Sequence, residues 1–586
     1  MQGTATKWRG SAALAVLAAI ICTLTIAACG SSTRSAASTN PASIVPATAK
    51  LYVSLVPKPE GALKRETDAD LRAFTNTTDP LRSLLGQLAA TSGASYAREV
   101  SPWLGREAGL FSSALTPVEG LGEAALASIA SGGAPTSVLR PGTGPLALKV
   151  LPVAAILSAT STAKAKAFLD ALARRDHAHE SSCDGVSCET SASGLTDAIV
   201  GNFAVIGSES AVKEVIAARK GGDSLLRDSS AYAKLSGKAP SQTLLSAYID
   251  TAGETVASGK PSSKAEARSR EATSSSGQGS SPTFSSVLEL LSGGAQQMEL
   301  SVIPESGSIS ADLDALNGSS EAARQRAAKS AANLLATLPE GSWLAAAAPE
   351  VGAHLTNVLS LLRALSPLAG SALSSFGGPA LEQLLRRLIA NPTALQSVFS
   401  GWAGSGALFA SGSGLLELEG GIVIESEDEA RSVGAVSELG AALATAGASV
   451  HPANVEGASS AVTVALPHFP LTLAIGAGSG RFVIGLGTAS VTAGLKASGQ
   501  TMSSSALYRE AERSLGGSAA PAVVFSVPSL SALLEATGLS SSASLHGLMP
   551  RLHAVRLASA AEQSLGAGIT RMRLSLLLEH AVTSSG

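Results

Sequence analysis

The feature that most constrains this chain is that it repeats its own order of strands and helices across nearly its whole length. A fold that suits one copy must suit the other. Each half opens with a strand shortly after a proline. Pro46 precedes Leu51 to Leu55, and Pro339 precedes Trp343, Leu344 and Ala345. Helical spacing follows in both, at Leu81, Leu84, Leu85 and Leu88, and at Leu355, Val358, Leu361 and Leu362. Next comes an aromatic–glycine motif, Pro102-Trp103-Leu104-Gly105 in one half and Gly401-Trp402-Ala403-Gly404 in the other.

The agreement continues beyond that motif. A strand at Val153–Leu157 runs into a helix over Ala163–Arg174, and one at Gly421–Glu425 into a helix over Glu427–Ala444. Asn202 to Ser208 reads as a strand, with Ser210 as cap of the helix that ends at Arg219. Gly480 to Gly485 and the helix Ala489–Lys496 match it. Ser229-Ser230-Ala231-Tyr232 recurs, with one residue inserted, as Ser504 to Tyr508. Each half closes on a hairpin. Met298, Leu300 and Val302 alternate with polar residues opposite Ile309, Ala311 and Leu313, and Val555 and Leu557 stand opposite Met572, Leu574 and Leu576. Alternation of this kind marks antiparallel sheet with two unlike faces.

The expected fold class is therefore α+β, in two tandem duplicated domains, each a mainly antiparallel sheet with helices packed on it. The first repeat covers residues 44–316, a junction residues 317–332, and the second repeat residues 333–580, with a tail at 581–586. Ala322 to Leu335 has helical character within the junction. Residues 258–282 are rich in Ser, Gly, Lys, Arg and Glu. They hold too little apolar surface to offset the entropy of ordering, so they read as a disordered insertion.

The N-terminus carries an address. Lys7 and Arg9 precede an uncharged apolar stretch from Ser11 to Ala28, and Ala27-Ala28-Cys29-Gly30 follows. A basic start, an apolar middle and small residues before a cut site make a secretory signal. A cysteine directly after the small residues resembles a bacterial lipobox. Residues 1–28 are thus expected to be a lipoprotein signal peptide, Cys29 the lipidation site that carries acyl groups such as palmitate, and residues 29–43 a flexible tether. An uncleaved transmembrane helix is the alternative reading of the same stretch. Both place the rest of the chain outside the cytoplasm, on the outer face of the cell membrane.

Composition narrows the partners. A net charge of −3 without a Lys/Arg cluster argues against nucleic acid. Beyond Cys22 and Cys29, the remaining cysteines are Cys183 and Cys188, a pair that an exported chain most simply closes as a disulfide. His177, His179 and Glu180 lie nearby, and metal binding or free thiols remain alternatives there, although the spacing matches no familiar zinc site.

The proline-led first strand, the motif at residues 102–105 and the stretch from Ala198 to Asp250 resemble an uncharacterised family of exported bacterial proteins, catalogued as domain of unknown function 3352. The resemblance implies an envelope location and supplies no reaction, ligand or functional residues. Because the second half departs from Pro-Trp-Leu-Gly, Trp103, Gly105, Trp402 and Gly404 read as a structural motif, with the tryptophans as core anchors at a turn.

No catalytic constellation emerges. Ser161 with Lys164 and Ser210 with Lys213 fit Ser-x-x-Lys, but the accompanying motifs of penicillin-recognising enzymes are absent, and helix capping accounts for both serines. Gly476 to Gly480 reads as a hairpin turn and not as a phosphate loop. The scattered histidines suggest no metal, and the acidic run Glu425 to Glu429 reads as a solvated helix start. The expectation is a membrane-anchored extracytoplasmic lipoprotein without a cofactor, a non-enzymatic interaction or structural module whose partner is an envelope protein or lipid. The alternative is a carrier or sensor that holds an apolar ligand in a groove. Uncharged stretches at Ala345–Ala348 and Pro367–Leu381 motivate that alternative.

Overall fold

A computed structural model describes residues 40–75, 94–115, 152–252, 295–317, 321–352, 392–466, 471–541 and 548–579, with short gaps, and parts of 79–86. The signal peptide, Cys29, most of the tether, the insertion at 258–282, the stretch at 367–381 and the tail lie outside the described residues.

The first half contributes strands β1 (Leu51–Leu55), β2 (Leu104–Ser112), β3 (Val153–Ala159), β4 (His179–Cys183), β5 (Val186–Thr190), β6 (Leu195–Val200), β7 (Phe203–Ser208), β8 (Leu245–Asp250), β9 (Gln297–Glu305) and β10 (Ser308–Leu316). Its helices are α1 (Gly61–Thr75), α2 (Thr162–Arg175), α3 (Glu209–Arg219) and α4 (Ser230–Ser236). The helix α5 (Glu321–Ala336) leads into the second half. There the strands are β11 (Leu344–Ala348), β12 (Ala403–Ser411), β13 (Glu419–Ser426), β14 (Ser449–Pro452), β15 (Ser460–Ala465), β16 (Leu473–Gly478), β17 (Arg481–Leu486), β18 (Val523–Ser526), β19 (Val555–Gly566) and β20 (Ile569–Leu578). The helices are α6 (Pro392–Phe399), α7 (Glu429–Thr445), α8 (Gly487–Leu495), α9 (Ala506–Ser514), α10 (Val527–Ala536) and α11 (Met549–Leu552).

The protein is α+β, with helices on a large antiparallel sheet. The strands of the first half lie side by side in the order β4-β5-β6-β7-β3-β2-β1-β8-β9-β10. Those of the second half follow β14-β15-β16-β17-β13-β12-β11-β18-β19-β20, the same order shifted by ten strand numbers. Smaller details also recur. Pro46 bridges to Leu225 and Pro339 to Thr501, and each half has a bulge at the start of its second strand. The expected two separate sheets are instead one, because β10 pairs with β20. That pairing satisfies the backbone of two strands that would otherwise be bare edges.

Two faces of the first half are packed. One holds Leu63 and Leu71 of α1, Leu169 of α2 and Trp103 against Val53, Leu110 and Ala155. The other holds Val212 and Ile216 of α3 and Leu235 of α4 against Tyr52, Phe111 and Ile156. Hairpin turns follow local chemistry. Asp184-Gly185 and Ser479-Gly480 both carry positive φ at two successive residues, 48° and 77° in the first and 53° and 71° in the second, which suits the right-handed twist of the strands they join.

The structure corrects three local readings. Ser208, not Ser210, caps α3, because Ser208 is the residue still extended when the helix begins, and its side chain accepts from Ala211 N–H. Asp428 precedes α7 as its cap and accepts from Arg431 N–H at 3.1 Å. In the last hairpin Val555 and Leu557 do not stand opposite Met572, Leu574 and Leu576. A bulge between Val555 and Leu557 shifts the register, so Leu557 meets Leu577, while Ala560 meets Leu574.

The two tryptophans hold matching turns. Both are buried, and each indole N–H donates to the carbonyl four residues earlier, Trp103 to Glu99 at 2.7 Å and Trp402 to Val398 at 2.6 Å. Each tryptophan carbonyl accepts from the residue just past the end of the next strand but one, from Thr160 N–H after β3 and from Glu427 N–H after β13, both at 2.8 Å. The glycines differ. A Cβ on Gly105 would lie 2.4 Å from Ser158 Oγ and 2.9 Å from Ser158 O, whereas one on Gly404 would meet nothing nearer than 3.4 Å. Gly105→Ala is therefore expected to lower the thermal midpoint of the full chain clearly, and Gly404→Ala to change stability by less than about 0.5 kcal/mol. Equal losses in the two melting curves would contradict this contrast.

Candidate functional site

The strand registers put the halves into residue-by-residue correspondence. Leu110 matches Leu408, Ala155 matches Ile422, and Leu313 matches Leu574, because each takes the same place in the same ladder. These positions belong to one transverse row. In the second half it runs from Leu574 through Ala560, Val523, Ala346, Leu408 and Ile422 to Ile484, each residue directly opposite the next. Neighbouring strands lie about 4.8 Å apart, so the span from Leu574 to Ile422 covers about 24 Å. Every side chain in it is apolar.

The two halves treat this row differently. In the first half Leu110 is 2% exposed, Ala155 2% and Leu313 5%. They lie in one cluster with Leu63 and Leu71 of α1 and with Leu81 and Leu85. In the second half Leu408 is 39% exposed, Ile422 45% and Leu574 39%. The segment that joins β11 to β12, and so corresponds in chain order to the one holding α1, includes residues 353–391, which lie outside the described residues. Exposed aliphatic side chains arranged in register, and not scattered singly, are the feature expected of a contact surface.

At its outer end the row changes chemistry in the first half. Asp197 and Glu189 stand where the second half has Ile475 and Val462. Asp197 is buried. Lys166 and Asp170 of α2 form an ion pair at 2.6 Å and act on its charge. Burial above all, then the neighbouring Glu189 and Asp170 against the opposing Lys166, pushes the Asp197 carboxyl from an ordinary 3.8 to about 7.

The residues singled out in the sequence do not converge on this surface. Cys183 and Cys188 are joined in a disulfide across the Asp184-Gly185 turn, with Cα atoms 5.9 Å apart, and lie in the core with Val200 and Ile216. His177 and His179 are exposed, so they do not share the buried surroundings of the cysteines. Among the described residues, no group of three or more His, Cys, Asp or Glu side chains is placed to hold a metal. Ser161 accepts from Lys164 N–H as a helix cap, while Lys213 pairs with Glu209 at 2.7 Å.

The other constellation that sequence reading missed lies where β10 meets β20. Asp312 and Arg573 form a two-pronged ion pair at 2.7 and 2.8 Å, and Asp314 and Arg571 another with both contacts at 2.7 Å. Arg571 also reaches Asp312 at 3.0 Å and donates to the Lys238 carbonyl at 2.8 Å. The only sequence signals were alternating aspartates on one strand and alternating arginines on the other, 261 residues apart for the Asp312–Arg573 pair.

Asp197 generates a pH prediction. Folded, it keeps its proton up to about pH 7, while in the unfolded chain it loses it near the ordinary 3.8. Between those values the folded state binds more protons, so the contribution of this group is fully present below about pH 4 and is lost as pH rises through 7. Urea midpoints of the wild type should fall from pH 4.5 to 7.5 more steeply than those of Asp197→Asn. Parallel profiles would contradict the shift.

Comparison with known proteins adds one firm statement. No curated protein matches the sequence. A solved structure entitled "Structure of crystal form III of TP0453" is similar at 11% identity over 48% of this chain and 81% of that chain, with a TM-score of 0.23, too low to support an argument. The model of a family described as "Protein of unknown function (DUF3352)" matches residues 10–520, which span the motif at 102–105 and both copies of the aromatic–glycine turn. The chain belongs to that family.

Proposed function

We propose that the protein is a lipid-anchored component of the extracytoplasmic face of the cell membrane, and that its folded part is a non-enzymatic interaction module of two duplicated α+β domains fused edge to edge. The identical strand order, the paired proline bridges and the matching tryptophan turns support duplication. The signal-like N-terminus and Cys29 support the anchor. Among the described residues no helix is long and apolar enough to cross a membrane.

The observation that carries the interaction reading is the apolar row that the first half covers and the second half leaves exposed at Leu408, Ile422 and Leu574. Among the described residues the row is covered in one half and exposed in the other, which supports a division of work between them. One provides packing, and the other presents a surface. A carrier of an apolar ligand such as a lipid is the second reading, favoured because the row from Leu574 to Ile484 offers aliphatic contact without a charged or hydrogen-bonding side chain.

A photo-crosslinking residue placed at Leu408 in living cells tests both readings, with the same label at the covered Leu110 as reference. The interaction module predicts protein adducts from position 408 in the membrane fraction and few from 110. A carrier predicts lipid adducts instead. In parallel, radiolabelled palmitate should enter the wild type and not Cys29→Ala. Equal adducts from positions 408 and 110 would contradict a working surface, and equal palmitate labelling would contradict the anchor.

A further inference from the structure

The seam between the halves has an internal axis. Leu313 pairs with Leu300 within the first half, and Leu574 pairs with Ala560 within the second, so positions 312 and 573 are equivalent. These two residues also face each other across the seam. The approximate two-fold relating the halves therefore passes between Asp312 and Arg573. One step along the strand, Asp314 faces Arg571, while their equivalents Ser575 and Ser310 face each other. The acids sit on β10 and the bases on β20.

Two identical strands meeting in this register would place the same residue twice on the axis. Two copies of β10 would bring Asp312 against Asp312, at a position that is 0% exposed. Two copies of β20 would bring Arg573 against Arg573. A buried like-charged pair has neither solvent nor a partner to neutralise it, whereas the pair present is bidentate. Specificity of this kind arises as much from the clash built against the wrong partner as from the attraction to the right one.

We infer that the Asp312–Arg573 pair is a partner-selecting contact: it directs the edge of β10 to β20 and rejects the β10 edge of a second copy of this chain. The contact makes the chain close on itself, so that a strand edge able to recruit further copies is consumed internally. The inference rests on the strand registers and is independent of the membrane location and of the apolar row.

Charge reversal in the full chain tests it by melting temperature and by light-scattering mass. Asp312→Arg sets Arg against Arg573, and Arg573→Asp sets Asp against Asp312. Each should lower the melting temperature by about 5 °C or more and convert a monomer into mixed larger species. The double exchange, D312R with R573D, keeps opposite charges on the axis. It should restore the monomer and part of the lost melting temperature, the remainder being the Arg571–Asp312 contact, which the exchange turns into a like-charge pair. A double exchange no better than the worse single variant would overturn the inference, as would single reversals that leave both mass and melting temperature unchanged.

Discussion

The backbone ladder between β10 and β20, nine residue pairs from Ser308–Leu577 to Leu316–Ile569, is the constraint on which the rest of the structure depends. Without it the protein would be two sheets, each with a long bare edge. With it the sheet continues from one half into the other, and its remaining ends are β4 and β14. Both ends are unattractive to further strands. β14 is four residues long and finishes at Pro452, and β4 is five residues long with His179 and Glu180 exposed. The ion pairs at the seam lie on one face, and apolar residues fill the other, where Leu313 and Ile309 join the first-half core and Leu576 packs against it.

A sheet joined in this way needs its faces covered, and among the described residues the two halves do so with different elements. α1 lies over one face of the first half, and α3 and α4 lie over the other. In the second half α5, α8 and α9 cover the face equivalent to the one under α3 and α4, with Leu335, Val491 and Tyr508 in a single cluster. On the opposite face α7 covers only the outer strands, where Val436 and Leu439 meet Val464 and Ile475. Among the described residues, Leu408, Ile422 and Leu574 of the row between α7 and the seam are left exposed, while Val527 of α10 and Leu552 of α11 pack beside Val555 and Leu578. The row's first-half counterpart ends in the buried Asp197 and the neighbouring Glu189, so similar backbones support an apolar surface in one place and a proton-binding carboxyl in the other.

Much of this was legible in the sequence. The strands at Leu51–Leu55 and Phe203–Ser208 and the hairpin at Gly307 come from short-range periodicity and turn chemistry, which local residues dictate. The tryptophan turns were readable because an indole flanked by glycine has few places to go in a chain so poor in aromatics. The fusion of the sheets was not readable. Pairing between Asp312 and Arg573 leaves no local trace, and alternating charges on a strand read as a wet face until a second strand covers them. Asp197 escaped notice for a related reason, since Thr196 and Asp197 look like solvent-facing residues and are buried only by what packs over them. The open row was masked by its own chemistry, because Leu408 and Ile422 have the alternation of buried residues, and exposure depends on a covering element elsewhere in the chain.

The continuity of the sheet through β10 and β20 is the central claim, and amide hydrogen–deuterium exchange on the full folded chain tests it most directly. If the two strands are the middle of one sheet, the amides of Ser308–Leu316 and Ile569–Leu578 exchange as slowly as those of β1 and β11 and open together. Exchange at these two segments as fast as at the end strands β4 and β14 would show that the halves are separate sheets, and would contradict the account.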